Sequence, residues 1–426
     1  MNNKRWAWPI ALLLVLALVA GACGDDDATT TTAAPATTAA PDTTAAPDTT
    51  AAPEPLTVGM ILVGPQNDRG WSQAHFEAGE YLTEMMGAEI IVLDKVNTAD
   101  RPEITVDQVI DDMVAQGAQL IFATSDDMRD GVELGAANHP DVPMIWSSGD
   151  SAWAEGKAET YRPDLTNLGT TMGRMYYAKM MAGCAAGLTT QTGSIGYLGP
   201  LINDETRRLA NSVFLGARYC YEEYRGMDAA DLQFEVNWIG FWFNIPGFTL
   251  DPTQVANAFF DGGADVVVSG IDTTEALVVA GQRADAGEAV WAVPYDYEGA
   301  CAEKPDICLG VPYFNWGPAY LRIVDSVLTD SFEAEWEWFG PDWADLNNPD
   351  TSGVGYLAGD GLSADNAATL DQFIAGLAGG SIDLFTGPLN YQDGTPYLGD
   401  GEAASDFQLW YTEQLLEGMI GASAPS

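Results

Sequence analysis

The amino-acid sequence predicts two α/β lobes, each a parallel β-sheet flanked by helices. Three observations carry this prediction. From Leu56 onward short apolar runs alternate with helix-length amphipathic segments, the alternation occurs in two successive blocks, and each apolar run ends in a polar or Gly-containing turn. In the first block strands are expected at 57–63, 89–93, 120–123 and 144–147, with helices near 72–86, 103–116 and 128–138. In the second, strands are expected at 194–198, 234–239, 266–269 and 289–293, with helices near 205–223, 253–260 and 275–284. A helix over 168–188 is expected to join the blocks. Residues 56–168, with a segment returning after 297, make the expected first lobe; residues 169–296, with a C-terminal segment, make the second. Ligands of such sheets bind at the carboxyl ends of strands, so the cleft between lobes is the expected site.

The ends of the chain differ in kind. Lys4 and Arg5 precede an apolar stretch from Trp6 to Ala20, which closes on Ala20-Gly21-Ala22-Cys23. A basic start, a short apolar segment and small residues describe an export signal over residues 1–22, too short to span a bilayer. A Cys directly after the small residues reads as a bacterial lipobox, although Ala20 stands where Leu is commonest. Cys23 would then be lipidated and become the mature N-terminus, anchoring the protein to the outer face of the cell membrane. In the tether that follows (23–55), Thr-Thr-Ala-Ala-Pro recurs at Thr31, Thr37, Thr43 and Thr49. Recurrent Pro without large apolar residues gives an extended, core-less chain.

Charge narrows the partners. The chain has 426 residues, and 17 Lys and Arg against 62 Asp and Glu leave a net charge of −45. This excludes a nucleic-acid binder, whose affinity rests on Lys and Arg, and docking on anionic lipid by charge alone. From Ile323 to Ser426 no Lys or Arg offsets 18 Asp and Glu. Charge spread so widely reads as a solvated surface, and it favours neutral solutes over nucleotides. Cys184, Cys220, Cys301 and Cys308 are even in number in an oxidising compartment, so disulfides Cys301–Cys308 and Cys184–Cys220 are expected. His75 and His139 are not spaced with these cysteines as a zinc site, and neither a metal nor a cofactor is expected.

Motifs for catalysis are absent: no Gly-x-Ser-x-Gly elbow, no Walker loop, no Gly-x-Gly-x-x-Gly after the first strand. More informative are the residues just past the strand ends. The first strand runs into Gly64-Pro65-Gln66-Asn67-Asp68-Arg69-Gly70-Trp71, the third into Ser125-Asp126-Asp127, and the fourth into Ser148-Gly149-Asp150. In the second block the matching ends carry Trp242-Phe243, Asp272-Thr273 and Tyr295-Asp296. Aromatic rings beside carboxylates suit a neutral, flat, polyhydroxylated ligand: rings stack, and carboxylates accept from hydroxyl and N–H groups. Asp68 has a competing role as a plain helix cap.

Several segments, taken in order, resemble the basic membrane lipoprotein family, the purine-nucleoside-receptor-like substrate-binding proteins of ABC importers. They are Val58-Gly59-Met60-Ile61-Leu62-Val63-Gly64-Pro65 with Asn67-Asp68 and Gly70-Trp71; Tyr177-Ala178-Lys179-Met180-Met181-Ala182-Gly183 leading into Thr192-Gly193-Ser194-Ile195-Gly196-Tyr197; Asn211 with Phe214-Leu215-Gly216-Ala217-Arg218; Trp238 with Trp242-Phe243; Gly263-Ala264-Asp265-Val266-Val267; and Phe385-Thr386-Gly387-Pro388-Leu389. The resemblance implies a type I periplasmic-binding-protein fold that closes on a purine nucleoside. It implies a base held between two aromatic rings, Trp71 from one lobe and Trp242 or Phe243 from the other. It places the family's ligand Asp on Asp68, its ribose-binding Asp on Asp296, and its base-binding loop on Ser125 and Asp127. A ribose-binding Lys has no evident equivalent, and residues 333–359, with Trp336, Trp338 and Trp343 among acids, form a longer segment than usual. The expected protein is thus a lipid-anchored, monomeric solute-binding protein, with the permease and ATP-hydrolysing subunits as separate chains. Two readings compete with this one, an exported hydrolase with a carboxylate pair in the cleft and a ligand sensor for a membrane signalling partner.

Overall fold

The computed structural model describes residues 55–425. The export signal, Cys23 and the tether up to Glu54 lie outside the described residues. The first sheet begins with β1 (Thr57–Ile61), α1 (Trp71–Met86), β2 (Glu89–Leu93), α2 (Val106–Ala115), β3 (Leu120–Ala123), α3 (Arg129–Asn138) and β4 (Met144–Ser147). Every residue of β3 and β4 is buried, as a parallel strand covered by helices on both faces must be. The parallel register pairs Val58 with both Ile90 and Leu120, which leaves the strand ends 61, 93 and 123 level at one edge.

The segment expected to open the joining helix does not. Leu168–Gly173 is β5, buried throughout and parallel to β4, and only then does α4 (Tyr176–Thr189) begin. Its sequence, Leu-Gly-Thr-Thr-Met-Gly, explains the difference: two glycines and two β-branched threonines disfavour a helix, and burial on both sides selects the strand. The second sheet holds β6 (Ser194–Gly199), α5 (Asp204–Tyr219), β7 (Gln233–Trp238), α6 (Pro252–Asp261), β8 (Val266–Ser269), α7 (Glu275–Asp285) and β9 (Trp291–Val293). Helix α5 starts in a capping box between Asn203 and Thr206. Helices α4 and α5 approach so closely that a Cβ at Gly183 would overlap the Val213 carbonyl, and one at Gly216 the Met180 carbonyl. Cys184–Cys220 bonds α4 to the residue just after α5 with Cα atoms 5.1 Å apart, and Cys301–Cys308 closes a loop after β9 with Cα atoms 5.6 Å apart.

The remaining chain passes back and forth. Strand β10 (Gly310–Phe314) leads into α8 (Gly317–Leu328) and β11 (Trp336–Phe339). Tyr320 of α8 is hydrogen-bonded to His75 of α1 at 2.6 Å, and β11 joins the first sheet beside β5, giving the order β11-β5-β4-β3-β1-β2. The long acidic segment with its tryptophans thus supplies an edge strand. Strand β12 (Val354–Ala358) returns antiparallel to β10 and leads to α9 (Ala364–Ala378), whose Asn366 Nδ2 donates to the Leu188 carbonyl of α4 at 3.2 Å. A small hairpin, β13 (Leu389–Asn390) and β14 (Pro396–Leu398), then precedes α10 (Asp406–Trp410) and β15 (Met419–Ile420). β15 completes the second sheet in the order β15-β7-β6-β8-β9. Both sheets are parallel throughout, and three connections link the lobes, as α8 and β11 belong to the first and α9 and β15 to the second. Among the described residues no helix is long and apolar enough to cross a membrane.

Candidate functional site

Carboxyl ends of strands from both lobes surround one cavity. From the first lobe come Val63, Trp71, Ser125, Asp126 and Ser148. Trp71 is the first residue of α1, and its Nε1 donates to the Thr124 carbonyl at 2.6 Å. Phe314 and Trp316 pack against its ring edge-on, at 5.3 and 5.4 Å, so the indole is fixed in place. The second lobe contributes Tyr197 of β6, Glu205, Thr206 and Leu209 from the first turns of α5, Trp242 after β7, Gly270 and Asp272 after β8, and Tyr295 after β9. The Trp242 carbonyl accepts from the Asp272 amide at 3.0 Å, which joins two of these loops.

Beneath these rings lie two buried ionisable side chains. Asp296 is fully buried in a left-handed backbone conformation (φ 71°), and neither of its carboxylate oxygens has a hydrogen-bond partner among the described residues. Lys179, on α4, is equally buried; its Nζ donates to the Ser269 carbonyl at 2.7 Å and stands 3.1 Å from the centre of the Tyr295 ring. Burial pulls the Lys179 ammonium well below its ordinary range, opposed by the attraction of Asp296 and Glu205. Burial raises Asp296 and Asp272 well above the carboxylate range. The same cause lifts Asp126 to about 6 and Glu205 to about 7, with Asp127 adding to the first by repulsion and Arg208 opposing the second. The cavity is therefore less anionic at neutral pH than its sequence suggests. It offers rings for stacking, and carboxyl groups able to accept or donate. Trp242 Nε1 and Ser148 Oγ also lack a partner among the described residues.

The two lobes are in contact around this cavity. Arg69 pairs with Glu303, Asn203 Nδ2 reaches Asp126 at 3.4 Å, and Lys157 meets Asp204 at 3.7 Å. Gly70 lies so near the Asp272 carbonyl that an added Cβ would overlap it. Gly70→Ala is accordingly expected to hold the lobes apart while leaving each lobe's core intact, lowering ligand affinity about tenfold, or ~1.4 kcal/mol. Small-angle scattering should show a larger ligand-bound radius than wild type, and equal radii would contradict this.

Closure also gathers acids, which gives a pH dependence with a definite sign. At pH 5 the folded protein keeps protons on Asp126 and Glu205 that an unfolded chain has largely released, so this contribution stabilises the folded state at pH 5 and is lost as pH rises through about 6 and 7. Ligand-free protein should lose on the order of 1 kcal/mol between pH 5 and 7.5, since neither group is wholly shielded from water. In Asp126→Asn/Glu205→Gln the decline should flatten; an unchanged slope would assign it to other groups.

Of the residues expected at the site, Trp71, Ser125, Trp242 and Asp272 line the cavity, and Asp296 lies beside Lys179. Asp68 does not line it: Oδ1 accepts from the Gly70 and Gln73 amides at 2.9 and 3.0 Å and Oδ2 from the Ser72 amide at 3.0 Å, which is the geometry of a cap on α1. Asn67 is exposed, and Phe243 packs edge-on against Phe241 at 5.1 Å. Asp127 faces an outer groove that Phe241 also lines. Asp150 accepts from the Tyr411 hydroxyl at 2.7 Å and from Thr160 at 3.1 Å in an adjoining chamber. Sequence reasoning missed Tyr197, Glu205 and above all Lys179. That lysine had a signal, as the one charged residue in the buried apolar run of α4.

A family model described as "ABC transporter substrate-binding protein PnrA-like" matches residues 56–340. A purine-binding protein of Brucella abortus is 27% identical over 356 residues, covering 83% of this chain and 89% of that one. A putative ABC transporter glucose-binding protein of Haloferax volcanii is 27% identical over 289 residues, covering 67% of this chain and 65% of that one. Among solved structures, an ABC transporter solute-binding protein of Aeropyrum pernix superposes with a TM-score of 0.60 at 15% identity, covering 77% and 93% of the two chains. One from Conexibacter woesei gives 0.54 at 19% identity, covering 77% and 98%. At these identities the structural matches establish the fold, a type I periplasmic-binding-protein architecture. With two-thirds of its length matched by the family model, the chain belongs to the Bmp family of ABC transporter substrate-binding proteins, extracytoplasmic proteins that bind a small solute for a membrane permease.

Proposed function

We propose that this protein captures a neutral purine nucleoside between its lobes and delivers it unchanged to an ABC importer, held at the outer face of the membrane by lipid on Cys23. The observation that carries the nucleoside is the pair of indoles, Trp71 from one lobe and Trp242 from the other, on the walls of one cavity. A flat base suits two ring walls better than a saturated ring does. Asp296, with two unpartnered oxygens among the described residues, and Lys179 beside it would hold the ribose hydroxyls. On this reading Lys179 would serve as the ribose-binding lysine. The name of the Brucella relative agrees with a purine. The carboxyl groups around the cavity and the Haloferax relative's name favour a hexose as the second reading.

Purified protein incubated with adenosine, guanosine, inosine, adenine and glucose separates these readings, with thermal stabilisation and product formation measured together. Stabilisation by a nucleoside without product is expected. Stabilisation by glucose alone would replace the nucleoside with a sugar, and hydrolysis of any ligand would overturn the transport role. Replacing Cys23 with Ser should move the protein from the membrane fraction to the medium; retention on the membrane would remove the lipid anchor.

A further inference from the structure

The cleft does not end at the aromatic cavity. Asp126, Ser148 and Glu205 also form part of the wall of a second chamber of about 820 Å³. Its far side is built by two segments that the nucleoside site does not use. One is the long connection after β4, with Asp150, Lys157 and Thr160; the other is the end of α10, with Trp410 and Tyr411. The second of these lies beyond residue 340, where the family match stops.

This wall is held rigidly. Trp153 is sandwiched between Trp336 at 4.0 Å and Tyr411 at 5.7 Å, with interplanar angles of 7° and 8°. The Tyr411 hydroxyl donates to Asp150 at 2.7 Å and accepts from the Lys157 amide at 2.9 Å. Asp406 receives a two-pronged bond from Arg174, both arms at 2.7 Å, which fixes α10 to the link between the lobes. Arg208, 2% exposed, lies between the Trp338 and Trp410 rings at 5.2 and 5.3 Å and donates from Nη1 to the carbonyls of Leu409 and Trp410. Its Nε lacks a partner among the described residues, on a side chain that lines the chamber.

We propose that the chamber takes a second, neutral polyhydroxylated ring, so that the ligand is a nucleoside carrying a further sugar. The charges decide against a phosphate. Asp126, Asp150, Asp204 and Glu205 face Arg129, Lys157 and Arg208, and a dianion would meet more carboxylates than cations. A sugar ring uses both kinds: its hydroxyls donate to carboxylates and accept from Arg and Lys.

This proposal rests on the nucleoside reading, and calorimetry on the full folded chain separates the two. The probes are adenosine, 2′-O-ribosyladenosine, 5′-O-ribosyladenosine, adenosine 5′-monophosphate and sucrose, with wild type, Lys157→Met and Asp150→Asn. At least one ribosylated adenosine should bind wild type tenfold or more tightly than adenosine does. Both variants should lose that gain, and Asp150→Asn should keep wild-type affinity for adenosine. Lys157 is half-exposed and Asn matches Asp in shape, so both variants should fold. No gain from either ribosyl group, tighter binding of the monophosphate, or an equal weakening of adenosine by Asp150→Asn would each overturn the proposal. Failure of adenosine alongside sucrose binding that depends on Lys157 and Asp150 would remove the nucleoside and keep the chamber; failure of every probe would remove both.

Discussion

Lys179→Met is expected to cost about 1–3 kcal/mol of stability, the range for removing one partner of a buried hydrogen bond. Lys179 and Asp296 are both fully buried, and Asp296 finds its main opposing charge in this lysine. Methionine fills similar volume, so the loss falls on charge and on the hydrogen bond to the Ser269 carbonyl at 2.7 Å. Without the lysine, Asp296 in the folded state stays protonated to still higher pH while the unfolded chain ionises near its ordinary value. The destabilisation should therefore grow as pH rises from 5 to 8. Urea denaturation of Lys179→Met, Asp296→Asn and the double variant forms a cycle in which the double should cost at least about 1 kcal/mol less than the sum of the singles. Strict additivity would mean that the two groups do not act as a pair.

The same pair shows where sequence reasoning stops. Strands β1 to β4 and β6 to β9 stand at the expected positions, their ends within two residues of those expected, because short buried apolar runs bounded by turns have few alternatives. The strand ends then named most of the loops that meet at the cavity, since parallel topology brings those ends to one edge. Side-chain direction is another matter. Asp68 stands at a strand end yet turns onto the amides of Gly70, Ser72 and Gln73 at the start of α1, whereas Glu205 occupies a first-turn position where an acid usually serves the helix dipole, and instead lines the cavity. Lys179 belongs to a helix that follows β5 and reaches the site only because α4 packs against β8 of the second sheet, a tertiary relation that no local pattern encodes. β5 and β11 were hidden for a different reason. Gly-Thr composition gave β5 no apolar run, and the apolar/Glu alternation of β11 lies in an acidic segment outside the two repeated blocks; pairing at the sheet edge supplies what these sequences lack.

Trp242→Ala should weaken ligand binding about thirtyfold while leaving stability nearly unchanged. Trp71 does not allow so clean an experiment. Its ring is 8% exposed, bonded to Thr124 and packed on Phe314 and Trp316, so truncation would remove about 3–5 kcal/mol of core along with any stacking. Trp242 is half-buried on a loop, and its part in the fold runs through its carbonyl, which alanine retains. A ring that closes over a desolvated ligand contributes roughly 2 kcal/mol, which corresponds to the thirtyfold figure. Nε1 adds a donor unpartnered among the described residues, so Trp242→Phe should fall between wild type and Trp242→Ala by keeping the stack and losing the hydrogen bond. Calorimetric titration with adenosine, beside urea denaturation of the same samples, measures both quantities. Equal affinities for wild type and Trp242→Ala would take this indole out of the site, and the two-ring argument for a flat base would fall with it.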